Sequence, residues 1–310
     1  MIAELVNSLA LTTKSRVGKR LLSLARGTII SMGHDPLVPA QVGCLKLMVP
    51  FSHDFKFHEK AFPEYSRNLP RIAKSVKRRY PAMTGIDIGA NVGDTVGLLR
   101  TQSEFPILCV EGDSRFFSIL KANMLHCPEI SLCNCFVSDV DGTIAGTTKQ
   151  NRGTLHIDVT DKDTKIQTKT LRSIIHEHPT FSKSKLLKID TDGFDFRIIA
   201  SSIDWLEHAK PVLFVEYDPR FLAVTGDNST AVFTALHSIG YRKMLVYSHR
   251  GDFACTVALG DAQLVEELHA FLNRHKGSCY VDVCVFHEED EELHQTIRRE
   301  ELEHFGANLK

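Results

Sequence analysis

From residue 84 onward, short apolar runs alternate with segments whose apolar residues recur at helical spacing. Five of these runs are predicted strands in which apolar and polar residues do not alternate: 84–88, 106–110, 130–137, 185–190 and 211–216. Such strands are buried on both faces, as in a parallel sheet that helices cover on either side. The pattern therefore predicts an α/β fold with a doubly wound, mainly parallel sheet.

The last third of the chain has a different pattern. Residues 241–247 and 251–257 are predicted to form a pair of strands, 264–272 a helix and 280–286 a further strand. Strands joined by short connections pair in antiparallel fashion, so we expect the sheet to have an antiparallel edge. We divide the chain into an N-terminal helical extension (1–80), one domain (81–290) and a C-terminal helix (291–310).

The N-terminal extension contains a basic amphipathic stretch, residues 14–26, in which lysines and arginines alternate with Val17, Leu21 and Leu24. We expect a helix that packs on the domain and leaves its basic face in solvent. Contact with a membrane surface or a partner is the alternative. A second helix is predicted at 65–79, and it should end before Pro81.

Composition and charge narrow the class of protein. The formal net charge is −1, so no overall field attracts nucleic acid. No apolar run approaches the roughly 18 residues that a membrane span needs, and the first residues do not resemble a signal peptide, so we expect a cytoplasmic protein. The eight cysteines include no C-x-x-C pair, which favours reduced, buried thiols over disulfides or zinc.

The most informative stretch is T-G-I-D-I-G-A-N-V-G-D-T, residues 84–95. A strand that ends in glycines and opens a helix lets a ligand approach the backbone, so Gly89, Asn91 and Gly93 are candidate cofactor-binding residues. Asp87 and Asp94 flank the turn, where a dinucleotide fingerprint would not place two acids. Two carboxylates would repel a pyrophosphate but suit S-adenosylmethionine (SAM), which carries an ammonium group and no phosphate.

Acids also follow the next two predicted strands. Glu111 stands 24 positions after Asp87, where nucleotide-binding sheets place an acid that accepts hydrogen bonds from the ribose hydroxyls. Asp139 follows the third strand and is predicted to lie near the adenine edge, although it is equally typical of an ordinary turn.

A further group of acids follows strands four and five. Asp190 and Asp192 come after one strand and Glu216 ends the next, so all three are predicted at the ligand-facing edge as catalytic residues. Transfer of a methyl group to a hydroxyl needs alignment and a proton acceptor, which a carboxylate can provide. Such acids can also hold Mg²⁺ or Ca²⁺, but we predict no metal. Asp195 is expected either to serve the site or to cap the next helix.

Four stretches together resemble the FkbM-type family of SAM-dependent methyltransferases. They read I-D-I-G-A-N-V-G-D-T, V-E-G-D-S-R-F-F, L-L-K-I-D-T-D-G-F-D and V-L-F-V-E-Y-D-P. The resemblance implies a class I, Rossmann-like methyltransferase fold and O-methylation of a hydroxyl, often on a sugar. By position, it assigns Asp87, Gly89, Asn91 and Gly93 to the cofactor turn, Glu111 to the ribose and Asp190 to the acid after strand four.

Two further stretches, M-V-P-F-S-H-D-F and Y-V-D-V-C-V-F-H, also resemble a bacterial subset of the family that is linked to surface-polysaccharide genes. The chain departs from the family pattern at two places. Family members often have a Leu-Asp pair before strand four, where this chain has Leu171-Arg172-Ser173, and they commonly have Glu at the position of Asp195.

Several alternatives remain open from the sequence. A nicotinamide-dependent oxidoreductase is disfavoured by Asp94 and by the lack of a second catalytic domain, and a non-catalytic scaffold by the clustered acids. The acceptor is predicted to be a small molecule or glycan, with the polar segment 142–170 as its cover. Three histidines are alternative proton acceptors: His156, His176 and His178. The oligomeric state is not predicted.

Overall fold

The computed structural model describes residues 2–151, 154–158, 165–275 and 279–308, without the side chains of 148–151, 154–158, 223–224 and 307–308. Before the central sheet lie α1 (Ile2–Thr12), α2 (Arg16–Ser31), β1 (Leu37–Val42), β2 (Leu45–Pro50), α3 (Phe55–Ala61) and α4 (Asn68–Arg79). The middle of the chain forms β3 (Gly85–Ile88), α5 (Asp94–Leu99), β4 (Ile107–Glu111), α6 (Ser114–Asn123), β5 (Ile130–Asn134), β6 (Phe136–Val137), β7 (Gly142–Ala145), β8 (Thr147–Asn151), β9 (Thr154–Asp158), β10 (Lys165–Lys169), α7 (Leu171–Glu177) and β11 (Leu186–Ile189). The remainder forms α8 (Asp195–Ser201), α9 (Ile203–Ala209), β12 (Val212–Tyr217), α10 (Pro219–Thr225), α11 (Ser229–Ser238), β13 (Tyr241–Ser248), β14 (Phe253–Ala258), α12 (Ala262–Arg274), β15 (Val281–His287) and α13 (Glu291–Asn308).

An eight-stranded sheet forms the centre of the protein, in the order β14-β13-β15-β12-β11-β3-β4-β5. The five strands from β12 to β5 are parallel. β15 pairs antiparallel with both β12 and β13, and β14 pairs antiparallel with β13. The predicted α/β class, with a mainly parallel sheet and an antiparallel edge, is therefore confirmed.

Helices cover the sheet on both faces, which explains why its strands are so apolar. β3, β4 and β11 are buried at every position. One buried cluster packs α8, α11 and α12 against one face, and the other packs α4, α5 and α6 against the opposite face. The carboxyl ends of the parallel strands consequently share one edge, where the loops are free to form a site.

The third predicted strand, 130–137, is divided in two. β5 joins the central sheet, whereas β6 pairs with β10 in a separate three-stranded sheet. Asn134 ends the regular pairing, and its side-chain amide donates to the backbone oxygen of Glu111 at 2.8 Å. Asp113 caps the following helix α6, since its carboxylate accepts from the backbone N–H groups of residues 115 and 116.

The N-terminal segment contains a β-hairpin that the helical prediction missed. Along β1, exposed and buried residues alternate, and the hairpin turns at Gly43. A side chain at Gly43 would meet the backbone oxygen of Gly97 at 2.0 Å, so the turn lies directly on α5. Val38, Val42 and residues of α4 share one core cluster with the central sheet. Among the described residues, no helix combines the length and apolar character needed to cross a bilayer.

Candidate active site

A cavity of about 550 Å³ lies at the carboxyl edge of the parallel strands. Its walls come from the ends of β3, β4, β11 and β12, from the start of β15, and from residues 53–70 of the N-terminal segment. The volume lies in the range of small-molecule and cofactor sites. Seven acidic side chains line it: Asp54, Asp94, Glu111, Asp190, Asp192, Glu216 and Asp282.

The turn after β3 forms one end of the cavity. Gly89 has a φ of +80°, and a Cβ there would lie 1.8 Å from the backbone oxygen of Asp190. Any side chain at this position would therefore collide with the loop after β11. Asn91 also has a positive φ, +48°, which asparagine tolerates better than most residues. Gly89 and Asn91 line the cavity, as predicted for a ligand that approaches the backbone closely.

Glu111 ends β4 beside this turn and is buried, with 8% of its surface exposed. Its two carboxylate oxygens accept from the backbone N–H groups of Asn91 and Asp113, both at 2.8 Å. Burial raises the pKa of Glu111 to about 7, against the lowering effect of these two donors. The carboxylate is thereby held at the cavity wall, with lone pairs left for hydroxyl donors of a ligand.

Asp87 contributes to the site through Lys188 and does not itself line the cavity. The two residues are neighbours on the parallel strands β3 and β11, and Lys188 Nζ lies 3.0 Å from Asp87 Oδ1. The same ammonium group lies 3.4 Å from Asp190 Oδ2 and donates to the backbone oxygen of Gly89 at 3.2 Å. Burial raises the pKa of Asp87, and Lys188 opposes that rise. Lys188 therefore joins the cofactor turn to the loop after β11.

The loop after β11 is held in shape by Asp195. Its carboxylate accepts from the backbone N–H groups of Thr191 at 2.9 Å and Gly193 at 3.1 Å. Asp195 is buried and does not line the cavity, so it fixes the conformation of the loop without facing a ligand. Asp190 and Asp192 line the cavity, and Asp192 has a φ of +51°. Burial, followed by the charge of Asp190, raises the pKa of Asp192 to about 8.

Glu216 faces an acid that the sequence interpretation missed. Glu216 on β12 and Asp282 on β15 are directly opposite each other in an antiparallel pair, and both line the cavity. Burial raises the pKa of Glu216 well above its usual range, and the charges of Asp190 and Asp192 add to this effect. Burial raises the pKa of Asp282 to about 7, while the side-chain amide of Asn68 opposes the rise. Glu216 Oε2 is buried without a hydrogen-bond partner.

The outer wall of the cavity is aromatic and comes from outside the parallel strands. Tyr65 and Tyr280 line it, and burial raises the pKa of both phenols. The ring of His249 lies 4.9 Å from that of Tyr280 and is tilted by 31° to it, and burial lowers the pKa of His249. Arg220 lies 5.9 Å from the Tyr280 ring but is paired with Asp218, which leaves the cavity with a surplus of acids.

The structure brings most of the predicted site residues together, with three exceptions. Asp190, Asp192 and Glu216 line one cavity with Gly89, Asn91 and Glu111. Asp87 and Gly93 support the turn outside the cavity lining. Asp139 does not line the cavity, because the break after β5 carries the chain into the smaller sheet. Its side chain is exposed and accepts a hydrogen bond from the Ser138 hydroxyl.

Of the three histidines proposed as alternative proton acceptors, the two whose side chains the structure describes do not line the cavity. His176 and His178 are outside its lining, and the side chain of His156 lies outside the described part of the chain. The proposed acceptor cover, 142–170, includes residues 152–153 and 159–164, which also lie outside the described residues. Within the described ranges, no group of three or more histidine, cysteine or acidic residues is arranged to hold a metal ion.

Comparison with known proteins identifies one family. The methyltransferase FkbM domain matches residues 87–243, just over half of the chain. Among solved structures, the FkbM methyltransferase from Methylobacillus flagellatus is 14% identical, with a TM-score of 0.37 over 52% of this chain and 39% of its own. The alignment thus spans well under half of that protein.

Two other solved structures are similar at the same level. An O-methyltransferase from Bacillus cereus, in complex with SAH, is 9% identical, with a TM-score of 0.36 over 71% of this chain and 80% of its own. A putative transferase from Pyrococcus horikoshii is 11% identical, with a TM-score of 0.39 over 82% of this chain and 73% of its own. No curated protein matches the chain.

Proposed function

The chain belongs to the family of FkbM methyltransferase domains, and on that premise we propose that it transfers the methyl group of SAM to a hydroxyl of a sugar or glycan intermediate. Its fold is the class I, Rossmann-like SAM-dependent methyltransferase fold, with β15 antiparallel between β12 and β13. The observation that carries the hydroxyl proposal is the group of buried acids at the ends of β11 and β12, beside the cofactor turn. The glycan acceptor rests on the resemblance to the polysaccharide-linked subset.

The residues around the turn after β3 fit SAM. Gly89 lines the cavity with its backbone alone, and Glu111 can accept hydrogen bonds from two ribose hydroxyls. The surplus of acids suits a ligand with an ammonium and a sulfonium group, since Lys188 and Arg220 are already ion-paired. When bound, SAM supplies an electrophilic methyl group on a sulfonium, and the protein supplies alignment and charge.

The acids on the other side of the cavity handle the acceptor. Asp192 takes the proton of the acceptor hydroxyl, because a pKa of about 8 lets it both release and accept a proton near neutral pH. Burial favours the protonated form of Glu216, and in that form its carboxyl group donates a hydrogen bond that orients the acceptor. The negative charge of Asp190 favours proton uptake by both Asp192 and Glu216, so it supports transfer of the acceptor proton to Asp192. Tyr65 and Tyr280 provide flat apolar surface for a sugar ring.

Calorimetric titration of the full chain with SAM, with NAD as the control ligand, tests the cofactor. We expect micromolar binding of SAM and none of NAD. Methyl transfer to a panel of sugars and nucleotide sugars, each paired with its deoxy analogue, then tests the hydroxyl acceptor. In the Asp190→Asn variant, turnover should fall far more than SAM affinity. A folded chain that does not bind SAM, or that methylates deoxy analogues equally well, contradicts the proposal.

A further inference from the structure

The helices α1 and α2 expose a concentration of apolar side chains found nowhere else in the described residues. Of the 14 large apolar side chains that are exposed there, seven lie between residues 2 and 32. On α2, Val17, Leu21 and Leu24 recur at the spacing of one helix face and are 61–69% exposed. The other seven are scattered over the remainder of the described chain.

The same segment is strongly basic although the chain as a whole is not. Residues 1–32 carry five lysines and arginines and one acid, whereas the whole chain has a formal net charge of −1. Helix α2 contains no acidic residue, and Arg16, Lys19 and Arg20 are exposed on it. An apolar row with flanking bases on a short helix is typical of helices that lie in the plane of an anionic lipid surface.

Helix α2 is fixed to the wall of the active-site cavity through its opposite face. Arg26 pairs with Asp54 at 2.5 Å and donates to the backbone oxygens of Phe51 and His53, at 2.9 and 3.3 Å. Asp54 and His53 line the cavity. The guanidinium also lies 4.5 Å from the ring of Phe57. Because Arg26 occupies the inner face, the exposed row on α2 remains available to a partner.

We infer that α1 and α2 form a docking surface for an anionic lipid bilayer and hold the cavity wall against it. A second copy of the chain is the other occupant to consider. A symmetric dimer through this face would bring together two copies of a basic helix that contains no acidic residue, which is unfavourable, whereas anionic lipid headgroups complement its arginines. The inference concerns surface binding alone and holds whether or not the proposed acceptor is correct.

Sedimentation of the full-length chain with sucrose-loaded vesicles tests the inference. Vesicles of phosphatidylcholine with about 30% phosphatidylglycerol should bind the chain, and pure phosphatidylcholine should bind it far more weakly. The Leu21→Ser/Leu24→Ser variant should lose about tenfold or more in partitioning, since two leucines no longer enter the interface. Neutralising Arg16 and Arg20, which lie beside the apolar row, with glutamine should cost about fivefold for each charge.

Leu125→Ser is the matched control, because Leu125 is 73% exposed on another part of the chain. It should bind vesicles like the wild type, and all variants should keep the wild-type thermal midpoint. Equal binding to both vesicle types, or unchanged binding of both α2 variants, would overturn the inference. A lipid-free wild-type dimer that Leu21→Ser/Leu24→Ser converts to a monomer would also overturn it, in favour of a second copy.

Discussion

Replacement of Lys188 by methionine should destabilise the protein severely. Lys188 is buried inside β11, and its ammonium group lies 3.0 Å from the carboxylate of Asp87, which is 1% exposed. Methionine fits the aliphatic part of the lysine side chain but leaves Asp87 without its cation. A charge left alone in the interior is among the few causes of very large single-residue effects.

The magnitude follows from the distance. At 3.0 Å, two unit charges attract by about 5–6 kcal/mol at an effective dielectric constant of 20. The second contact of Lys188, to Asp190 at 3.4 Å, counts for much less because the Asp190 side chain is 47% exposed. Methionine also avoids the cost of burying the ammonium group. We therefore expect a loss of about 3–5 kcal/mol in the free energy of unfolding at pH 7.

The loss should become smaller as the pH falls. Burial raises the folded-state pKa of Asp87, and without Lys188 that pKa rises further. Protonation of a carboxyl group whose pKa is raised in the folded state stabilises that state. This stabilisation is complete below the unfolded-state pKa, about 3.9, and is lost as the pH rises through the folded-state pKa. The difference between variant and wild type should thus shrink between pH 7 and pH 4.

Urea unfolding of both proteins across this pH range measures the effect. The Asp87→Asn/Lys188→Met double variant is the matched control, since it removes both charges and should recover most of the lost stability. A Lys188→Met variant within about 1 kcal/mol of the wild type at pH 7 would refute the reasoning. So would a loss that grows toward acidic pH.

Three further predictions concern the cavity. Glu111→Ala should weaken SAM binding about tenfold or more in calorimetry, because two charge-assisted hydrogen bonds are lost, whereas the exposed Glu104→Ala should bind normally. If Asp192 accepts the proton, kcat should rise as the pH rises through about 8, because Asp192 must be ionised to act as a base. The Asp192→Asn variant should lose this pH-dependent rise in kcat. A rise that persists in the variant would assign proton acceptance to another group. Gly89→Ala should lose SAM binding and thermal stability, since its Cβ would lie 1.8 Å from the Asp190 oxygen; wild-type affinity would show that the loop can move.

The cofactor turn and the acids at the strand ends could be predicted because both follow from short-range patterns. Gly89, Asn91 and Glu111 lie next to strands that their own sequences identify. Asp190 and Glu216 meet because parallel strands end at the same edge of a sheet, wherever the helices between them lie. No distant contact is needed for these inferences.

The remaining parts of the site depend on tertiary pairing that the sequence pattern does not encode. Asp282 reaches the cavity because β15 runs antiparallel, so the start of that strand lies at the edge where the others end. Asp139 was expected at the adenine edge, but the break at Cys135 directs the chain into another sheet. The ion pair between Lys188 and Asp87 could have been predicted, since a cation within a buried strand requires an acidic neighbour.

The cavity has walls of two different origins along the chain. The glycine turn, Glu111 and the acids after β11 and β12 all lie within the family-matched region, residues 87–243. Tyr65, Asn68, Tyr280 and Asp282 lie before or after that region and close the cavity from outside. Substitutions in the segments before and after the matched region would therefore reshape one side of the cavity and leave the glycine turn and the strand-end acids in place.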